Sequence, residues 1–463
     1  MNGRAELVLH NGSRIAVIGA GPAGCFFARA VIECAQRRGL SIKVVLYEGR
    51  SFIRGGPPGC NMCAGVLAAT LVEKLHDMGM ELPPNVIQRR IQSYRLWTPV
   101  GSVKVDPPED SGPIFTVFRG GGPRGSAAGG VSFDEQLLAH ARSWGADLVT
   151  ETVSDLTLPT APSEPVRLHL ASGVVHEADL VVGAFGVHSP LAGVLAGRVP
   201  GYEPPQFIHA FQVELDLGEA HVDRAFGGTV HVFDLGTRGI SFAALTPKRA
   251  HVTATLVGDA AGAAAMDAFL DHPLVRRCLP PGWRPPPGHC HCRPRVPFRP
   301  ARRPYADRIV MVGDASSSRL YKNGLESAYV TGFAAAETAV THGVSAAVFE
   351  KHYAPVCRSV ARDSAAGRRL FWIKDSLFVH RPLAAMLVRA VDEEQRLDPP
   401  SKRVIGRALW GVFTGDQAYT AILRNALGPA VQLHFWGRGV PALWGRSRAE
   451  DDLSSTEAQN AHG

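Results

Sequence analysis

Short apolar runs alternate with longer stretches of helical spacing along this chain, and their order carries information. Arg14-Ile15-Ala16-Val17-Ile18 is β-branched and apolar, the pattern of a buried strand. It runs straight into Gly19-Ala20-Gly21-Pro22-Ala23-Gly24, after which residues 25–37 are Ala-rich and helical. Residues 42–47 form a second apolar strand that ends at Glu48. Far downstream, Arg308 to Val312 is another such strand, closed by Gly313-Asp314-Ala315 and followed by a helical segment from about residue 325 to 341. Between these lies a different texture. Residues 206–217, 229–235, 239–245 and 250–257 alternate between polar and apolar, as strands of an antiparallel sheet do. Residues 280–304, rich in Pro, Arg and His, read as a connector. After about Val344 the spacing is helical, for example over 383–391 and 418–427. From about Ala449 the chain is polar and is expected to be disordered.

The first strand, the glycine turn, the helix and the second strand form a dinucleotide-binding fingerprint in its proper βαβ setting. Gly19 permits a tight turn, Gly21 lets a pyrophosphate approach the backbone, and Gly24 lets the helix pack close to the strand. The helix N-terminus supplies free N–H groups and partial positive charge. Glu48 can accept hydrogen bonds from ribose hydroxyls and repels a 2′-phosphate. This site alone does not separate FAD from NAD.

Composition narrows the class. Of 463 residues, 45% are hydrophobic and 20% charged, a globular balance that excludes wholesale disorder. No run approaches the ~18 apolar residues of a membrane-spanning helix. The N-terminal apolar segment is too short for a signal peptide. With no export signal, the eight cysteines are expected to be reduced thiols in a cytoplasm. The net charge of +7 is too mild to argue for nucleic acid, and none is expected as a partner. Residues 351–448 carry 16 Lys/Arg against 7 Asp/Glu. That basic end, with Trp410, Trp436 and Trp444 among apolar helical positions, suits peripheral contact with a membrane. The plain alternative is a solvated helical cap.

At Gly313-Asp314-Ala315 the chain resembles a flavoprotein family that includes geranylgeranyl reductases and aromatic-ring hydroxylases. Four stretches over about residues 13–345 carry the resemblance: the fingerprint with Glu48; Gly56-Pro57-Pro58-Gly59-Cys60-Asn61-Met62-Cys63-Ala64-Gly65-Val66; Ser132-Phe133-Asp134-Glu135-Gln136-Leu137-Leu138; and Gly313-Asp314-Ala315 with Lys322-Asn323-Gly324. The resemblance implies FAD held by Gly19, Gly21, Ala23, Gly24, Glu48, Arg119, Gly313, Asp314 and Gly324. Asp314 would sit on the ribityl and pyrophosphate. It implies Cys63 beside the flavin ring, and Lys322 as a cation near the flavin N1/C2 carbonyl. It implies an α/β fold: a Rossmann-like FAD-binding domain (1–75, 115–195, 296–345), an inserted antiparallel-sheet substrate domain (76–114, 196–295), and a C-terminal helical region (346–448) before the tail (449–463). Phe242 would lie on the sheet wall of the substrate pocket.

Two departures shape the expected activity. Many relatives carry Gly-Ala-Asp-Gly in mid-chain, where this sequence has Gly183-Ala184-Phe185-Gly186, and the arginine that often follows is missing. That loss lowers a hydroxylase reading and direct NADPH use. The Trp-x-Trp-x-Ile-Pro run of flavin halogenases is also missing. The expected enzyme is an FAD-dependent oxidoreductase that reduces carbon–carbon double bonds of an isoprenoid or other apolar, lipid-like substrate. The external electron donor is left open between NAD(P)H and a ferredoxin. The alternatives are an FAD monooxygenase and a non-catalytic flavin-stabilised binding protein. Cys60-x-x-Cys63 and His289-Cys290-His291-Cys292 could supply zinc ligands if they converged, but the spacing of the second stretch is wrong for a zinc knuckle, so no metal is expected.

Overall fold

The structure is a computed structural model that describes residues 7–56, 63–124, 132–161, 163–286, 288–397 and 400–440. Its organising element is a six-stranded sheet in the order β19-β20-β12-β1-β2-β8. The strands are β1 (Arg14–Ile18), β2 (Lys43–Tyr47), β8 (Asp147–Val149), β12 (Leu180–Gly183), β19 (Tyr305–Ala306) and β20 (Ile309–Met311). All neighbours are parallel except β19 with β20. The register aligns Ile18 with Tyr47 and with Gly183, and Gly183 with Met311. The carboxyl ends of four strands therefore finish level, and the turns that follow them crowd one edge, where α/β sheets bind ligands.

Both faces of this sheet are covered, which explains why its strands are apolar throughout. Ile15 and Val17 pack under α1 (Pro22–Arg37), α3 (Phe133–Ser143) and α8 (Gly324–Thr341). Ala16 and Ile18 point the other way, against a three-stranded meander of β9 (Val153–Thr157), β10 (Val166–Leu170) and β11 (Val175–Ala178). The α1 and α8 axes approach closely at Gly332. A Cβ there would lie 3.1 Å from the Phe27 nitrogen and 3.3 Å from the Ala23 oxygen.

The second large sheet runs β17-β13-β16-β15-β14-β5-β6, with β18 added on β13. Its strands are β5 (Ser93–Thr98), β6 (Gly101–Val105), β13 (Gln206–Asp216), β14 (Thr229–Phe233), β15 (Phe242–Pro247), β16 (His251–Val257), β17 (His291–Cys292) and β18 (Arg295–Arg299). It is antiparallel save for β14 beside β5. The stretch expected as a connector, 280–304, thus also supplies two strands, β17 and β18, because His291 and Val296 find open edge positions on β13. One face of β13, β15 and β16 buries Val213, Leu215, Leu245 and Ala254 against α5 (Glu219–Ala225), α6 (Ala263–Asp271) and α7 (Pro273–Arg276). The other face carries Gln212, Glu214, Thr253 and Thr255, all buried.

A small sheet of β3 (Val66–Leu67), β7 (Ile114–Val117) and β4 (Ile87–Ile91) joins the two, and the Thr116 hydroxyl donates to the Pro247 carbonyl at 2.9 Å. Helices α2 (Ala69–Asp77) and α4 (Leu191–Arg198) pack at its margins and the meander's. The C-terminal helices are α9 (Ala346–Val348), α10 (Ala354–Val379), α11 (Arg381–Gln395), α12 (Val404–Thr414), α13 (Tyr419–Ala426) and α14 (Pro429–Gly439). Of these, α11, α12 and α14 with the end of α10 close over β5, β6 and β14, where Tyr94, Leu96, Val103 and Val232 meet Leu387, Val391, Trp410 and Phe413. Among the described residues no helix is long and apolar enough to cross a membrane.

Candidate functional site

The turn after β1 is built as its glycines require. Gly19 has φ +103°, and a Cβ on it would lie 2.6 Å from the Ala184 oxygen. A Cβ on Gly24 would overlap the Gly19 carbonyl. Gly21 is different: nothing lies within 4 Å of its Cβ position. It caps α1, whose first turn holds no acidic residue and receives no side-chain cap. The helix therefore presents open N–H groups and its positive end to free space. Glu48, buried at the end of β2, accepts from the Ala20 N–H at 3.3 Å and from the Arg50 N–H at 3.0 Å. An open cradle at a helix N-terminus beside an oriented carboxylate fits a dinucleotide.

The second motif meets the first. Gly313, with φ +60°, donates its N–H to the Thr331 hydroxyl of α8 at 2.8 Å and packs against Ala23 of α1. Asp314 follows in a single 3-10 turn beside Gly324, whose Cβ would lie 3.9 Å from Asp314 Oδ1. Burial raises the Asp314 pKa, while a Ser318 hydroxyl bond and the nearby Arg119 pull it back.

Arg119 is anchored despite the glycine-rich segment after it. Its Nε and Nη2 donate to the two carboxylate oxygens of Asp134 at 3.0 and 2.7 Å, and the Asp134 N–H returns a bond to the Arg119 carbonyl at 3.0 Å. Asp134 is fully buried in the first turn of α3, where Ser132 caps the Glu135 N–H at 3.2 Å. Burial alone would lower the Arg119 pKa. Asp134, with Cys63 and Asp314 adding, outweighs it, so the guanidinium stays charged. Arg119 thus links Asp134, Asp314 and Cys63 electrostatically.

Cys63 is partly buried, and burial raises its thiol pKa although Arg119 and Lys248 oppose the shift. At neutral pH it is a thiol, not a thiolate. Cys60, Pro57 and Pro58 lie outside the described residues. The Cys63 carbonyl accepts from Lys248 Nζ at 3.4 Å, which introduces residues the sequence reading missed. Lys248 is fully buried and donates to Glu214 Oε1 at 2.7 Å and Thr253 Oγ1 at 2.6 Å. Thr253 in turn donates to Glu214 at 2.8 Å. The available signal was the period-2 polarity of Gln212-Val213-Glu214 and Thr253-Ala254-Thr255, two strands that pair in register. Cys292 joins this neighbourhood; burial, with Cys63 adding, pushes its thiol up to about 12.

Lys322 sits between Tyr321 and Asn323, which have φ of 59° and 60°, a left-handed conformation that costs energy in non-glycine residues. Its Nζ lies 5.3 Å from the centre of the Phe242 ring, so the two come together as a wall and a cation. No carboxylate pairs with it among the described residues, and burial pushes its pKa down to about 8. Arg319 holds this loop. It donates to Asp363 Oδ2 at 2.9 Å and to the Gly415 and Gln417 carbonyls at 2.6 Å each, tying the loop to α10 and to the turn after α12. Phe185, in the place of the family's aspartate, is a packing residue against the meander core. Among the described residues no group of three or more His, Cys, Asp or Glu side chains converges as a metal site.

No family model matches the chain, and no curated protein matches it. Solved structures do. A geranylgeranyl bacteriochlorophyll reductase-like protein from Thermoplasma acidophilum aligns over 92% of this chain and 98% of its own, with a TM-score of 0.60 at 16% identity. The halogenase PltM, in complex with phloroglucinol and FAD, aligns over 91% and 96%, with a TM-score of 0.58 at 11% identity. The peptidyl tryptophan dihydroxylase QhpG aligns over 80% and 77%, with a TM-score of 0.55 at 17% identity. The chain has the flavoprotein fold. The likeness first visible in four short motifs extends, as fold, from the nucleotide sheet through the C-terminal helices.

Proposed function

We propose that this chain is an FAD-dependent oxidoreductase that reduces a carbon–carbon double bond in an apolar, isoprenoid-like substrate. The observation that carries the reading is the meeting of two distant turns: Gly313 packs against Ala23 and so brings Asp314 to the open N-terminus of α1, while Asp134 fixes Arg119 through two hydrogen bonds. Bound and reduced, FAD would supply the hydride for one alkene carbon, and a proton drawn from solvent would complete the other. Gly21 and the α1 N–H groups would hold the pyrophosphate, Glu48 the adenosine ribose, and Asp314 the ribityl. Lys322 holds a proton at Nζ without a carboxylate to balance it, and so offers positive charge to an anionic reduced cofactor. Cys63, neutral and half-buried, would contribute a soft wall beside the reacting bond.

The likeness to a geranylgeranyl reductase-like protein over nearly both whole chains supports the reductase reading, as does Phe185 in place of a carboxylate. The dihydroxylase neighbour supports a monooxygenase as the second reading. Anaerobic turnover separates them. The purified protein, reduced with dithionite under argon, is expected to add two hydrogens to a polyprenyl substrate, seen by mass spectrometry. Turnover that requires oxygen and inserts it into the product would replace the reductase with the monooxygenase. A protein that takes up no FAD when it is supplied would end both.

A further inference from the structure

Helix α10 is the longest among the described residues, and one of its faces carries exposed apolar side chains. Ala365, Arg369, Trp372, Ser376 and Val379 recur at helical spacing along that face. Trp372 is 71% exposed and Val379 75%. On α14, Leu433 and Trp436 repeat the pattern at 75% and 50% exposure. Both helices pack against α11. Isolated exposed apolar residues mean little, but two tryptophans on helical stripes mark a contact surface.

The charges say what kind. Arg368 of α10 donates to the Phe298 carbonyl of β18 at 3.0 Å, next in sequence to Arg299. The Arg368 pKa is lowered by burial first, then by repulsion from Arg299 and Arg369. Among the described residues no carboxylate pairs with any of the three. The nearby Asp375 is taken by Lys374 at 2.7 Å. Arg368, Arg369, Trp372 and Ala365 line one open hollow.

We propose that this face docks on an anionic lipid bilayer, with Trp372 and Val379 entering the acyl boundary and Arg299, Arg368 and Arg369 contacting headgroup phosphates. Arginines without a carboxylate partner attract anions, and the exposed Trp372 beside them favours an apolar phase; a charged membrane interface supplies both. A second copy of the chain is a poorer occupant, because a two-fold contact would set this arginine cluster against its own image. The proposal does not depend on which reaction the enzyme performs.

The test is flotation of the full flavin-loaded chain with vesicles of phosphatidylcholine alone and of phosphatidylcholine with about one third phosphatidylglycerol. Binding to the anionic vesicles only is expected, falling as salt rises from about 0.1 to 0.5 M. Trp372→Ser and Arg369→Glu are each expected to weaken it roughly five- to tenfold, with the melting temperature unchanged. Both positions are exposed, and the wild-type salt series needs no variant. Equal binding to neutral vesicles, no binding to either, variants that float like the wild type, or a dimer in sedimentation velocity that Trp372→Ser dissociates would each overturn it.

Discussion

Gly313 faces Ala23 so closely that a Cβ built on it would lie 2.6 Å from the alanine Cβ. The two residues are far apart in sequence and belong to different nucleotide motifs, so this contact sets the spacing of the whole site. Gly21, a few residues from Ala23, has open space where its Cβ would be. The contrast separates folding from binding. Gly21→Val is expected to fold with a melting temperature close to the wild type, and to lose bound flavin absorbance. Gly19→Val, whose Cβ would press on the Ala184 oxygen at a φ that disfavours side chains, is expected to lose soluble protein altogether. A yellow Gly21→Val protein would place the nucleotide elsewhere.

The buried Lys248–Glu214 pair supports the loop that carries Cys63 and makes a second prediction. Glu214→Ala leaves the Lys248 ammonium buried with only the neutral Thr253 hydroxyl and Cys63 carbonyl as hydrogen-bond partners, a change that costs about 3–5 kcal/mol. Replacing both, as Lys248→Met with Glu214→Leu, removes both charges and is expected to recover much of that loss. Urea denaturation of the two single variants and the double variant measures it. A Glu214→Ala protein as stable as the wild type would show that the pair supports nothing.

How much of this was legible in advance depends on the range of the interaction. The fingerprint, with Gly19, Gly21, Gly24 and Glu48, is local: each residue acts on neighbours within one βαβ unit, so its spacing is visible in the string. The same holds for the apolar strand before Asp314. Arg119 was named from resemblance alone, across a glycine-rich segment, and only the fold shows that Asp134 fixes it. Lys248 and Glu214 were not named because a lysine in a hairpin turn and a glutamate on a strand usually face solvent, and their burial depends on β13 and the β15–β16 turn lying against the Cys63 loop. The meander β9–β11 was missed because its polar positions face water, which leaves it without a chemical motif.

Lys322 gives a pH-dependent prediction. Burial lowers its pKa to about 8, from about 10.4 in an unfolded chain. Between those values the unfolded state holds the proton and the folded state does not, so stability rises with pH across that window. Below about 8 both states are protonated and the full cost of the buried charge remains. Lys322→Met is therefore expected to stabilise the flavin-free protein at pH 7 by on the order of 2 kcal/mol. It is also expected to abolish the rise above pH 8. Melting temperatures of wild type and variant from pH 6 to about 10.5 check both. Parallel curves would mean that Lys322 does not titrate there.

Arg319 reaches the C-terminal helices through three bonds, and the loop it holds contains the two left-handed residues on either side of Lys322. A loop in that conformation persists only while its surroundings over-determine it. Arg319→Lys keeps the charge, so an attraction to Asp363 survives, but a single ammonium cannot reach Asp363 Oδ2 and the Gly415 and Gln417 carbonyls in the fork geometry of a guanidinium. The expected result is local: faster amide hydrogen exchange over residues 319–323 and 415–417, with the β1–α1 segment unchanged. The Lys322 transition near pH 8 should move up toward the value of an exposed amine as the loop opens to water. Exchange that stays slow in the loop would mean that the aromatic contacts of Tyr321 with Phe242 and Phe371, at 5.4 and 4.6 Å, hold it without the arginine.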